Sequence, residues 1–139
     1  MTLGQFSITK RVNNFNQLSL VILSNVRKAM EDTAEFIAKA AAAKAPVDTG
    51  ALRASIYTAY YMRSNYAAHI ANALSKRADA KTFPDIGNIG KWEAIIAVPL
   101  EYGIYNEKGT VHMAARPFLA PATQLGRQYF SRQLRKVLP

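Results

Sequence analysis

Apolar residues, with Thr33 among them, recur every three or four positions at Leu18, Ile22, Val26, Ala29, Phe36, Ile37 and Ala40. That period predicts a helix over residues 16–45 with one apolar stripe, and Lys28, Glu31, Asp32, Glu35 and Lys39 lie mostly off it. Asn14 or Asn16 is placed to cap its start. The alanine run 40–43 adds helix propensity without bulk, so a neighbouring backbone can approach closely. Pro46 ends the helix, because the residue before a proline is pushed out of the α region. A dense turn follows, Pro46-Val47-Asp48-Thr49-Gly50, in which Asp48 or Thr49 can cap one helical turn through Leu52.

Elsewhere the pattern changes period. Residues 54–62 are rich in β-formers and read as a strand, as do residues 92–98, closed by Pro99. A short strand through Phe6 and Ile8 is expected in an otherwise extended arm. Tyr66, Ile70 and Leu74, spaced by four, predict a short helix ending near Lys76 and Arg77, before loop chemistry over 81–90. One or two helical turns are expected over 100–108, broken at Gly109-Thr110. Pro117 is suited to the first turn of a last helix running to about Lys136, with Pro121 in that same turn. The order predicts an α+β fold, with a long N-terminal helix and a C-terminal helix packed on a small antiparallel sheet. A chain of 139 residues is expected to form one domain over 1–139, with an N-terminal arm (1–15) and a variable loop or insertion (63–91).

Composition narrows the chemistry. Half the residues are hydrophobic and 19% charged, as in folded soluble proteins. There is no cysteine, hence no disulfide and no thiolate metal site. No signal peptide or membrane span is expected, so the reading is a soluble protein made in the cytosol without a membrane partner. The net charge of +9 favours polyanionic or acidic partners. The excess is spread along the chain, but its densest stretch is Arg127, Arg132, Arg135 and Lys136, with no acid after Glu107.

Catalytic patterns are scarce. His69 and His112 are the two histidines, and no zinc-protease, phosphate-loop or nucleophile-elbow pattern is present. Asp48, Ser55 and His112 could be combined into a hydrolase triad, and Glu101 with Glu107 into an acid–base pair, but a loop histidine and surface carboxylates are the plainer readings. No catalytic residue, cofactor or metal is assigned. A nucleic-acid surface is the stronger alternative, from Tyr57, Tyr60, Tyr61, Arg63 and Tyr66. In a strand, Tyr57 and Tyr61 share one face and Tyr60 takes the other, which also fits core and subunit packing.

Three blocks in order carry a resemblance: residues 43–56 (Ala-Lys-Ala-Pro-Val-Asp-Thr-Gly-Ala-Leu-Arg-Ala-Ser-Ile), residues 102–110 (Tyr-Gly-Ile-Tyr-Asn-Glu-Lys-Gly-Thr) and residues 115–122 (Ala-Arg-Pro-Phe-Leu-Ala-Pro-Ala). Together they resemble the head–tail connector family of long-tailed bacteriophages and prophages, whose members are called neck, tail-completion or minor tail components. Gly103, Asn106 and Lys108 depart from the family's usual residues. The resemblance implies a structural virion protein at the head–tail junction and not an enzyme. It implies a homo-oligomeric ring that meets other connector and tail proteins and passes DNA without sequence specificity. The motif residues Pro46, Asp48, Thr49, Gly50, Leu52, Arg53, Tyr102, Glu107, Gly109, Thr110, Arg116, Pro117, Phe118 and Pro121 are then structural or interface positions. Gly50 and Gly109 are expected at backbone angles closed to other residues. Arg53 and Arg116 are expected to pair with Glu107 or with a neighbouring subunit.

Overall fold

The computed structural model describes residues 2–7, 17–47 and 50–138, with 2–7 and 17–19 as backbone. The elements are β1 (Thr2–Ser7), α1 (Gln17–Lys44), α2 (Ala51–Ser55), β2 (Tyr57–Tyr60), β3 (Arg63–Ser64), α3 (Tyr66–Lys76), β4 (Glu93–Ala97), α4 (Tyr102–Lys108) and α5 (Leu119–Val137). The architecture is α+β, as the periodicity predicts. Three boundaries differ from expectation. Residues 51–55 are helical, so the strand that follows is Tyr57–Tyr60 and not 54–62. Tyr61 has left the strand for the turn into β3, so the expected face-sharing with Tyr57 does not arise. Pro117 lies before α5, which begins at Leu119. Ile8, the Asn14 and Asn16 caps and the Asp48 and Thr49 cap lie outside the described residues.

The strands form one antiparallel sheet of order β1-β4-β2-β3. β4 is central, with Ala97 opposite both Tyr57 and Thr2. Period-two alternation sends Ala94, Ile96 and Val98 to the helices and Ile95 and Ala97 to the other side. β2 divides likewise, Tyr60 facing the helices and Tyr57 and Ala59 facing away.

The helix side holds the larger core. Met30, Ala34, Ile37 and Ala41 of α1 meet Ile56, Ile96, Val98, Leu100, Phe118, Leu119 and Ala122. Over 28 residues α1 extends about 42 Å, at 1.5 Å per residue. Its most extensive partner is α5. Small side chains set how close the two come. A Cβ on Gly126 would stand 2.2 Å from Cγ1 of Ile37, so α5 sits directly on that side chain. Phe36 and Tyr129 stack alongside, ring centroids 4.4 Å apart and planes 7° from parallel.

The other side of the sheet is apolar too, and the 81–90 segment covers it. Ile86 and Ile89 pack on Tyr57, Ala59, Ile95 and Ala97, joined by Tyr66 of α3. The segment is pinned by backbone bonds from Phe83 N to Pro99 O (2.6 Å) and from Glu101 N to Lys81 O (3.0 Å). Tyr66 donates its hydroxyl to Phe83 O, and Ile86 N donates to the Tyr57 hydroxyl oxygen. A stretch that reads as loop chemistry thus closes a second, smaller core.

Replacing Gly126 with alanine tests the α1–α5 contact. Helix propensity favours alanine by about 1 kcal/mol, but overpacking against a buried isoleucine costs about 1–3 kcal/mol. The expected outcome is a net loss of stability in urea unfolding. In the double variant G126A/I37A, the two costs should sum to less than the separate losses, because removing the isoleucine branch vacates the space the new methyl needs.

Candidate functional site

The three sequence blocks converge on one corner of the molecule. A cleft of about 470 Å³ is lined by Pro46, Val47, Gly50 and Leu52 from the first block, Tyr102 and Asn106 from the second and Arg116 from the third, with Arg77 at the end of α3. Gly50 turns the chain from α1 into α2 with φ 85°. A Cβ added at Gly50 would lie 3.5 Å from Cδ of Lys76, so the end of α3 passes close to this turn. The Arg77 guanidinium lies 5.0 Å from the centre of the Tyr102 ring, within cation–π range.

Glu107 holds the corner together. The first four N–H groups of an α-helix have no carbonyl within the helix to bond to. In α5 these belong to Phe118, Leu119, Ala120 and residue 121. Glu107 Oε2 accepts from Phe118 N (2.7 Å) and Leu119 N (3.0 Å), and Oε1 accepts from Ala120 N (2.9 Å). Residue 121 is proline and has no N–H to satisfy. One carboxylate and one proline thereby settle the whole helix start, and the charge also complements the positive end of the helix dipole. The carboxylate reaches its target because the chain reverses at once. Gly109 has φ 77°, and a Cβ there would lie 2.8 Å from Ala115 N and 2.9 Å from Met113 O. Thr110 and Met113 bond each other's backbone, and Arg116 N donates to Asn106 O (2.6 Å). The Asn106 amide donates in turn to Tyr102 O (3.1 Å). Asn106, a departure from the usual apolar residue, thus anchors α4 internally.

This corrects the expected pairing of Arg53 and Arg116 with Glu107. Both oxygens of Glu107 are occupied by backbone donors, not by Arg53 or Arg116. Arg53 is exposed on α2, and Arg116 is exposed at the cleft. Glu101 accepts instead from the Tyr105 hydroxyl (3.3 Å). Of the triad candidates, Ser55 is buried and donates to Leu52 O (2.7 Å), and His112 is exposed on the Thr110–Met113 turn. Asp48 and Thr49 lie outside the described residues.

A second polar cluster had no signal in the sequence. Glu35 reads as a solvated helix residue, yet it accepts from the hydroxyls of Thr58 and Tyr60 and so ties β2 to α1. Arg63 adds an ion pair to Glu31 (3.0 Å) and sits 4.8 Å from the centre of the Tyr60 ring. Burial raises the Tyr60 phenol pKa, and its bond to Glu35 raises it further. Burial also pushes Tyr57 up to about 12, with Asp85 adding to the effect and the Ile86 N–H opposing it. The tyrosine cluster is therefore mostly interior. Tyr57 and Tyr60 are buried, Tyr66 is half-buried and packs edge-on against Tyr57, and Tyr61 is exposed. No group of described residues could hold a metal ion, and no described helix is long and apolar enough to cross a membrane.

A family model described as "Bacteriophage HK97-gp10, putative tail-component" matches residues 9–109. Neither the curated proteins nor the solved structures yield a match.

Two outcomes follow from these clusters. Glu107→Ala is expected to lower stability by about 1–2 kcal/mol, the scale of a lost helix cap, with lost helical circular dichroism on melting confined first to α5. In alkaline solution, the unfolded chain ionises its tyrosines near pH 10 while Tyr57 and Tyr60 stay protonated in the fold. Stability is then full below pH 10 and falls as the pH rises toward 12. Urea midpoints across that window should decline, and more shallowly in Tyr60→Phe.

Proposed function

Because the chain belongs to the bacteriophage HK97-gp10-like tail-component family, we propose that it is a structural virion protein of the head–tail junction. In this reading identical subunits close into a ring, bind connector and tail proteins, and pass DNA without reading its sequence. Assembly takes place in the host cytoplasm, and the protein performs no catalysis. The observation that carries the reading is the spending of the motif side chains. Glu107 is used on helix N–H groups and Asn106 on the Tyr102 carbonyl, while Gly50 and Gly109 serve chain reversals. Their chemistry builds a corner with a cleft, and among the described residues its lining includes no carboxylate, histidine, serine or threonine.

Ring closure needs two different surfaces on each subunit, because a cyclic contact is heterologous. Exposed apolar tips fit one of them. Met62 ends the β2–β3 turn with φ 59° and is 88% exposed, beside Tyr61 at 48%. A left-handed conformation costs an L-residue about 1–2 kcal/mol, so an apolar side chain is held in solvent at a cost where glycine would be easier. Val111, 98% exposed on the Thr110–Met113 turn, is a second such tip. The cleft, with Arg77 and Arg116, suits a neighbour's acidic or polar group. A stacking nucleic-acid platform has less support, since Tyr57 and Tyr60 are interior.

A phage lacking this protein is expected to make filled heads and separate tails, with joined particles restored by the protein supplied in trans. Light scattering and negative-stain microscopy of the purified chain with virion proteins should show ring particles. A strict monomer that associates with no virion protein, together with normal particles in its absence, contradicts the reading.

A further inference from the structure

The exposed side of α5 carries charge that the fold does not use. Arg127, Ser131 and Arg135 are spaced by four, and Gln128, Arg132 and Lys136 form a second row beside them. All six are exposed, and they extend over about 14 Å of helix at 1.5 Å per residue. A shallow recess of about 480 Å³ runs among the first five. α5 contains no acidic residue, and the two ion pairs among the described residues, Arg63–Glu31 and Arg77–Asp79, are elsewhere. The helix dipole gives a reason for cations only in the last turn, where Arg135 and Lys136 lie. Arg127 and Arg132 are earlier and need another.

Three partners could answer such a ridge, and the surroundings separate them. A membrane-surface helix would offer an apolar face to lipid, but the apolar side of α5 is packed into the core through Leu119, Ala122 and Phe130. A protein interface draws its energy from a desolvated apolar centre. None of the six ridge positions is apolar, and the exposed Leu125 and Leu138 stand at its two ends. Phosphate is different. Guanidinium groups bind it in bidentate fashion, and serine and glutamine side chains add further donors without reading bases.

We propose that Arg127, Arg132, Arg135 and Lys136, with Gln128 and Ser131, form a sequence-independent contact for the phosphate backbone of duplex DNA. The inference rests on the ring reading in one respect: the duplex it names is the DNA that reading passes through the ring. Its chemistry is testable on the full chain alone. Fluorescence anisotropy with two unrelated 30-bp duplexes should give equal affinities. Four phosphate contacts give a slope of log K against log salt of about −3.6, or about 150-fold weaker binding at 200 mM than at 50 mM NaCl. The triple variant R127Q/R132Q/R135Q should retain its melting temperature, since the three side chains are exposed, and its slope should fall to about −0.9.

An unchanged slope in the triple variant overturns the proposal. So does tighter binding to phosphatidylserine vesicles than to duplex in the same buffer. Loss of self-association in sedimentation, with DNA binding intact, assigns the ridge to a subunit contact and overturns it as well. The two readings fail separately. Normal particles in the absence of the protein remove the junction role and leave the duplex result standing. A junction defect with ridge-independent DNA binding removes only this contact.

Discussion

Three backbone N–H groups at the start of α5 converge on one carboxylate, Glu107, and the arrangement of the C-terminal half depends on that meeting. Its geometry is demanding. The acceptor lies 11 to 13 residues before its donors, so the chain must end α4, reverse and return within one short loop. Gly109 permits the reversal, the Thr110–Met113 pair tightens it, and Arg116 N closes it onto Asn106. Phe118 and Leu119 then enter the core fully buried, and α5 is aimed along α1. The cap has its large consequence because it fixes the direction of a helix whose own first turn carries no acidic residue.

The rest of the fold is a matter of close approach. Ala34 and Ala41 on α1 and Gly126 on α5 keep the layers near, so dispersion contacts are made along the length of two helices. The sheet is narrow, and β4 is apolar on both faces. Helices cover one face and the 81–90 segment covers the other. The loop-like stretch is held on the apolar surface beneath it, where Ile86 and Ile89 pack on Tyr57 and Ile95, and by backbone bonds that join it to Pro99 and Glu101.

The functional reading follows from where polar groups are spent. Residues in the three blocks serve caps, turns and helix entry. Arg116 at the cleft, the cations along α5, and the apolar tips at Met62 and Val111 are surface features with no internal partner among the described residues to explain them. A tail component that acts by contact needs surfaces of that kind more than a reacting centre.

The sequence by itself determined what depends on neighbours along the chain. The three- and four-residue period places α1 and α3, Pro46 and Pro99 close their elements, and the three blocks point to the phage family. It also limited the chemistry, through the absence of cysteine and of catalytic patterns. Tertiary structure alone decided pairings between residues far apart. Glu107 and Glu35 look alike in sequence, as charged positions on helices, yet one caps α5 and the other binds Thr58 and Tyr60. Nor does local pattern show that the 81–90 segment folds back, or that the helical turn expected through Leu52 continues to Ser55 before the strand begins at Tyr57. A side chain's partner is set by which elements the core brings together, and periodicity reports only the face it starts from.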